Sequence, residues 1–544
     1  MFTVFPVLPG TGFLYGGETC TKEFKNSYMK KGFLIACLTA ISVLPVSCNK
    51  GTDSRLATGD IEKLDAYVEE LQQKLPLPCL GVVVMKGKDI YLRATGHRIF
   101  SEGQKAVFSE RTPFFAGDLS GLLVVTAIAR LADEGKLDMD APVVDYLPYF
   151  ALADTDIRGI KIKHLINQTG GIPGHSVMWD LPDLSDSALE STTRSIHLQQ
   201  PEFVPPGSRV KRSPYNFDIL ADLIAKVTGM AFEDYMKTGV LEPLRMKDSF
   251  FPKDETFKAS VAWPHAIKNW LTYTTDTVGA YPLNRQHSGS MGWHTSLRDL
   301  SGWLFMIMHK GKTAEGARFL TRSTGEKLLA WQRTGEMTAM GYGWEVIPAK
   351  TRTMYYKEHS TGNFTAGITM IPSDELAVAV VSNITGDFNT ESVRNGIIRW
   401  LDREQETPGE VKPLLAAALG QRLEVTGQMD SVFRLYERLK RKKTGAYDYS
   451  VLSLEQLGTN LLYRLGEPEK ALSFFRYCEQ VFPGSDAIKL DLAEASIMNS
   501  DSRNAAAYLD QIDTIKPGTP EAGMRVRLLR TALKNRDSAV TKRE

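Results

Sequence analysis

The stretch Thr112–Pro148, TPFFAGDLSGLLVVTAIARLADEGKLDMDAPVVDYLP, constrains the fold of this 544-residue chain more than any other. It reads as a largely buried helix that runs into a post-helix turn. At the head of that helix stands a carboxylate, Asp118, with a hydroxyl, Ser120, two residues later and a bare backbone position at Gly121. Two residues on a helix is over half a turn, so Ser120 points away from Asp118. The chain is long enough for two or more domains with a sizeable core. A net charge of +1 gives no sign of a nucleic-acid partner. The five cysteines have no metal-ligand spacing and form no dense disulfide framework.

The register of the stretch resembles the serine β-lactamase and penicillin-binding-protein hydrolases, most closely the class C β-lactamase and D,D-peptidase branch. Ala127, Ile128, Leu131, Glu134, Gly135, Lys136, Leu137, Asp140, Val143, Tyr146, Leu147 and Pro148 fall in line without a gap. Four further segments follow in the family's order: Ile162–Pro173, Pro206–Gly229, Gly292–Leu300 and Met340–Trp344. The closing stretch Thr365–Asn383 reads as two strands around Pro372-Ser373-Asp374, and Val393–Glu404 as the last helix of this domain. At the other end, Asp60–Leu75 carries apolar residues on one helix face, with Asp60 able to cap its start. Leu80–Met85 and Ile90–Ala94 read as a hairpin. The implied fold class is α+β: an antiparallel sheet flanked by helices over residues 58–404, with an all-helical subdomain near 130–290.

The resemblance also says where catalytic groups should stand. The family's nucleophilic Ser corresponds to Asp118 and its Lys to Gly121. The Tyr and Asn of its Y-x-N motif correspond to Arg212 and Pro214. The third element, K-T-G or H-x-G, falls within Lys357–Gly362, where Lys357 or His359 takes the cationic place. Acyl transfer needs a hydroxyl, a base and oxyanion donors. An acyl-aspartate would be an anhydride, glycine offers no base, and arginine stays protonated. Asp118, Ser120, Arg212, His294, Lys357 and His359 are therefore expected to line a pocket without a confident catalytic residue. Ser120 is the weak alternative nucleophile, and a salt bridge between Asp118 and Arg212 is expected to fill the pocket. His294 favours a structural role, and Trp293, Trp303, Trp344 and Trp400 are read as core or groove aromatics. Asp138 and Asp140 sit in the post-helix turn, and no metal or cofactor is assigned.

Met29–Cys48, MKKGFLIACLTAISVLPVSC, has a basic start, a short apolar core and a small residue before cysteine. It resembles a bacterial lipoprotein signal, which implies a cell-envelope protein lipid-anchored through Cys48; an ordinary secretory signal or an uncleaved anchor is the alternative. Residues 1–28 then form an over-extended start and 49–57 a tether. After Thr407-Pro408-Gly409 the pattern changes to helix pairs over 405–544. Gly466 and Ser500, Ala471 and Ala505, and Pro483 and Pro517 each recur 34 residues apart. This resembles a tetratricopeptide array, a short stack or one packed on the first domain. Three functions are open: a non-catalytic relative binding a peptide, cell-wall fragment or protein partner; an active serine hydrolase with rearranged residues; and a scaffold that binds a protein partner through its helical repeats.

Overall fold

A computed structural model describes residues 55–541 apart from 102, 175–179, 334–338, 386–387, 443–444 and 513–519. The expected start, signal, most of the tether and the lipidation site Cys48 lie outside the described residues. Thirteen strands are described: β1 Cys79–Lys86, β2 Asp89–Ser101, β3 Gln104–Val107, β4 Phe114–Phe115, β5 His265–Asn269, β6 Thr274–Thr277, β7 His294–Thr295, β8 Trp331–Arg333, β9 Ala339–Gly341, β10 Glu345–Ile347, β11 Met354–Thr361, β12 Phe364–Ile371 and β13 Leu376–Ser382. Nine form one antiparallel sheet in the order β3-β2-β1-β13-β12-β11-β10-β9-β8.

Every residue of β1 from Cys79 to Met85 is buried, because both faces of the sheet are covered. Val82 and Val84 face α1 (Thr58–Lys74) and α5 (Thr390–Leu401), meeting Leu64, Val68, Ile397 and Trp400. Val83 and Met85 face the opposite core, with α2 (Ser120–Asp133), α3 (Tyr215–Thr228) and α4 (Leu297–Met308). The period-two alternation of a strand thus feeds two separate cores. The α1 start is held from within the helix: Asp60 accepts the Ala57 N–H at 3.2 Å and pairs with Arg403 at 3.0 Å. Trp293, Trp303, Trp344 and Trp400 are all fully buried. Trp303 stacks on Trp344 with ring centroids 6.0 Å apart. The interval 130–290 carries helices together with one hairpin, β5–β6, whose threonines favour extended backbone.

Beyond residue 404 the chain forms antiparallel helix pairs: 415–426 with 429–441, 451–464 with 468–481, and 486–498 with 502–510, followed by 520–541. Gly466 (φ 66°) and Ser500 (φ 65°) both turn through the left-handed region at the sharp bends between paired helices. Ala471 and Ala505 are fully buried where paired helices meet. The tip of the β5–β6 hairpin enters this helical core. Tyr273 packs with Leu419, Leu457 and Leu461. Asn460 donates to the Trp270 carbonyl at 3.1 Å and reaches the Tyr273 hydroxyl at 2.7 Å. A Cβ at Gly420 would lie 2.2 Å from the Leu271 carbonyl oxygen, so the helix backbone lies directly on the hairpin.

Candidate functional site

The candidate site forms where β11 packs against the head of α2. A short 3-10 turn, Gly117–Leu119, leads into α2 at Ser120 and places Asp118 at the helix start. Strand alternation puts Tyr355, Lys357 and His359 on the buried face of β11. The His359 ring lies flat against Gly117, whose φ is +54° and whose added Cβ would meet the ring at 2.2 Å. Only glycine fits this close approach.

His359 Nδ1 lies 3.2 Å from the Asp118 backbone nitrogen and 3.3 Å from its Oδ2. One ring nitrogen serves one of these at a time. Unprotonated, it accepts from the amide; protonated, it donates to the carboxylate. In the first state the N–H at the helix start, the type of donor an oxyanion would need, is already engaged. His359 Nε2 is buried with no hydrogen-bond partner among the described residues. Burial pushes the Asp118 carboxyl up, but the His359 hydrogen bond and the charges of His359, Lys357 and Arg212 hold it below the ordinary carboxylate range.

The expected Asp118–Arg212 salt bridge does not form. Arg212 pairs with Glu345 on β10 instead, and Asp118 takes His359. The physical reason is competition: Glu345 is only 11% exposed and lies beside the guanidinium. Arg212 reaches Asp118 only through space. Pro214 caps the start of α3, and its missing N–H costs nothing there.

The Gly121 position is filled from α3. A Cβ there would meet the Phe217 ring at 2.7 Å. Phe217 projects from α3, and Lys357 Nζ lies 5.7 Å from its ring centroid. Lys357 is itself 7% exposed. Ser120 is fully buried; its Oγ donates to the Gly117 carbonyl at 2.6 Å and accepts from Trp293 N–H at 2.9 Å. Both bonds pin the turn and engage the hydroxyl as donor and acceptor.

The resemblance implies His294 on the pocket wall; the structure buries its ring behind Phe115 instead. Its ring sits in a closed aromatic cluster, stacked on Phe250 with centroids 5.0 Å apart and bonded to the Tyr281 hydroxyl at 3.0 Å. Burial pushes its pKa down to about 4. Its neighbour Phe115 separates it from His359, 5.4 Å beyond. Phe217, Glu345 and Gly117 belong to the site and were not singled out from the sequence. For Phe217 a signal existed: a glycine inside a buried helix leaves volume that a nearby aromatic can occupy.

A Beta-lactamase family model matches residues 64–399. The chain belongs to the Beta-lactamase family. Among its relatives, protein flp of Staphylococcus aureus (strain MW2) is 24% identical over 335 residues, covering 61% of this chain and 65% of flp. The chain thus spans slightly under two thirds of that relative's length. Penicillin-binding protein 4 of Amycolatopsis lactamdurans is 22% identical over 61% of this chain and 87% of that protein. Two solved structures share the fold. A class C β-lactamase aligns with a TM-score of 0.52 at 17% identity, covering 64% of this chain and 97% of its own. The octameric penicillin-binding protein homologue from Pyrococcus abyssi gives 0.51 at 20% identity, covering 68% and 82%. In this Beta-lactamase family chain the shared scaffold ends near residue 400, where the helix pairs begin.

Proposed function

We propose that this Beta-lactamase family protein has lost acyl-transfer chemistry and uses the cleft at the head of α2 to bind a peptide or cell-wall fragment. The observation that carries this reading is Asp118 with its His359 partner at the helix start. A carboxylate held in its charged form by neighbouring cations is a weak nucleophile toward an amide and a weak base at neutral pH. The space beside Gly121 is taken by Phe217, which leaves no room for a basic side chain. Ser120 is buried and engaged at both its donor and acceptor sites, which argues against it as a substitute. The test is covalent labelling by a fluorescent penicillin and a fluorophosphonate, with calorimetric titration of a cell-wall peptide. Saturable binding without labelling is expected. Labelling that Ser120→Ala abolishes would overturn the reading.

We further read Cys48 as the site of a lipid anchor that holds the protein at the cell envelope. No helix among the described residues is long and apolar enough to cross a membrane. Incorporation of labelled palmitate, lost in Cys48→Ala, tests this. The helical region, with its 34-residue spacing of left-handed turns at Gly466 and Ser500, is read as tetratricopeptide-like.

A further inference from the structure

In the helical region, the helix Met429–Arg441 has two faces with different commitments. Its inner face belongs to the helical core: Val432 and Tyr436 are fully buried, and Phe433, Leu435 and Leu439 pack against the same cluster. Its outer face carries Arg434, Arg438 and Arg441, all exposed. At about 100° per residue these three fall within about 60° of one another and run about 10 Å along the axis. Arg422, from the preceding helix Leu415–Thr426, is also exposed and donates to Ser431 Oγ, which brings a further guanidinium to the first turn.

Among the described residues none of these arginines forms an ion pair. Their polar partners are uncharged: Ser431 for Arg422, and the Glu437 backbone carbonyl, 3.3 Å from Arg441 Nε. The carboxylates on the helix do not neutralise the stripe. Glu437 accepts the Tyr477 hydroxyl at 2.8 Å, and Asp430 stands in the first turn without pairing to Arg434. Other exposed arginines of the molecule do take carboxylate partners, as Arg111 does with Asp248 and Arg158 with Asp145.

We propose that this arginine stripe rests on the phosphate headgroups of an anionic bilayer and sets which side of the protein faces the membrane. A guanidinium stays charged and offers a planar fork of donors that matches phosphate oxygens. A protein partner would need an apolar centre to bury, and no large apolar side chain of this helix is exposed. Headgroups need only charge. The apolar face is committed to the core, so the helix lies on the bilayer without inserting.

The choice of lipid over nucleic acid rests on the lipid-anchor reading: a chain fastened through Cys48 by the tether 49–57 meets a bilayer at high local concentration. Under that tethering, weak contacts orient the molecule and need not hold it. Each basic side chain near an anionic surface raises partitioning about fivefold, and the gain decays over a Debye length of about 8 Å at physiological salt.

The test is cosedimentation of the chain from residue 49 onward with vesicles of phosphatidylglycerol and phosphatidylcholine, against vesicles of phosphatidylcholine alone. This chain keeps every described residue and lacks Cys48, so its result stands apart from that of palmitate labelling. Binding to the anionic vesicles alone is expected, weakening as salt rises from about 0.05 M to about 0.5 M. Arg434→Gln/Arg438→Gln/Arg441→Gln is expected to lower partitioning about a hundredfold with an unchanged melting temperature. Arg438→Glu, a single exposed change, lowers it about tenfold and decides the matter if the triple variant fails to fold. Absence of binding to the anionic vesicles, or binding that survives these substitutions, overturns the proposal. So does a single-stranded oligonucleotide that binds the wild type more tightly than the anionic vesicles do at equal phosphate concentration.

Discussion

Gly121 on α2 and Phe217 on α3 are complementary: the ring edge of one occupies the space where the side chain of the other would begin, 2.7 Å from the ideal Cβ. Gly121→Ala is therefore expected to destabilise the protein by about 1–3 kcal/mol through overpacking. Phe217→Leu in the same chain should recover part of that loss. Urea unfolding of the four-member cycle measures the coupling, and strict additivity would show that the two residues do not share this space.

Placing a serine and a lysine at 118 and 121 is not expected to produce acyl transfer. Asp118→Ser with Gly121→Lys is expected to hydrolyse a chromogenic β-lactam no faster than background. The new lysine would meet Phe217, and Arg212 and Pro214 are unchanged. Turnover well above background in a steady-state assay would contradict this.

Asp118 makes the stability of the site sensitive to acid. Its carboxyl is held below the ordinary value of 3.8, so its favourable interactions are present above that pH and vanish as pH falls through the folded-state value. The stability of the wild type relative to Asp118→Asn should accordingly be constant near neutrality and shrink in strong acid. Paired denaturation curves at several pH values read this difference.

Buried histidines set the upper part of the acid response. His294 and His265 are both pushed down to about 4 by burial. Unfolded, each takes up a proton near 6.5. Stability is thus expected to fall between pH 6.5 and pH 4, by at most about 3 kcal/mol for each histidine. His294→Gln removes its share of the slope in a melting series. An unchanged slope would mean that His294 is protonated in the folded state.

The joint between the sheet domain and the helical region rests on the hairpin tip. Tyr273→Ala removes a buried aromatic from the helical core and is expected to cost about 3–5 kcal/mol. Asn460→Ala leaves the Trp270 carbonyl and the Tyr273 hydroxyl without this partner, at about 1–3 kcal/mol. Limited proteolysis should then cut between 404 and 415 sooner than in the wild type.

Local pattern made the scaffold readable. The alternation of β1, the paired closing strands and the helix after Pro214 each follow from the spacing of apolar residues, and the structure has them within a few residues. That Asp118 and Gly121 stand at the head of this helix is a matter of residue identity and is read from the sequence directly. Pairing is not. Arg212 met Glu345, which lies 133 residues away in sequence, rather than Asp118. Phe217 entered the space at 121 from another helix. His294 turned inward because four aromatic rings surround it. Such choices among competing neighbours depend on distances that spacing along a chain does not encode. The hairpin at 265–277 was missed because its two strands are short and its apolar tip is buried by helices from far downstream.

That tip makes the change in sequence character after residue 404 a misleading place to divide the molecule. A fragment ending there would carry an oily knuckle, Leu271 and Tyr273, into water, and its counterpart would show the empty socket. Two regions of different sequence character would then be obliged to mature, persist and be degraded as one body.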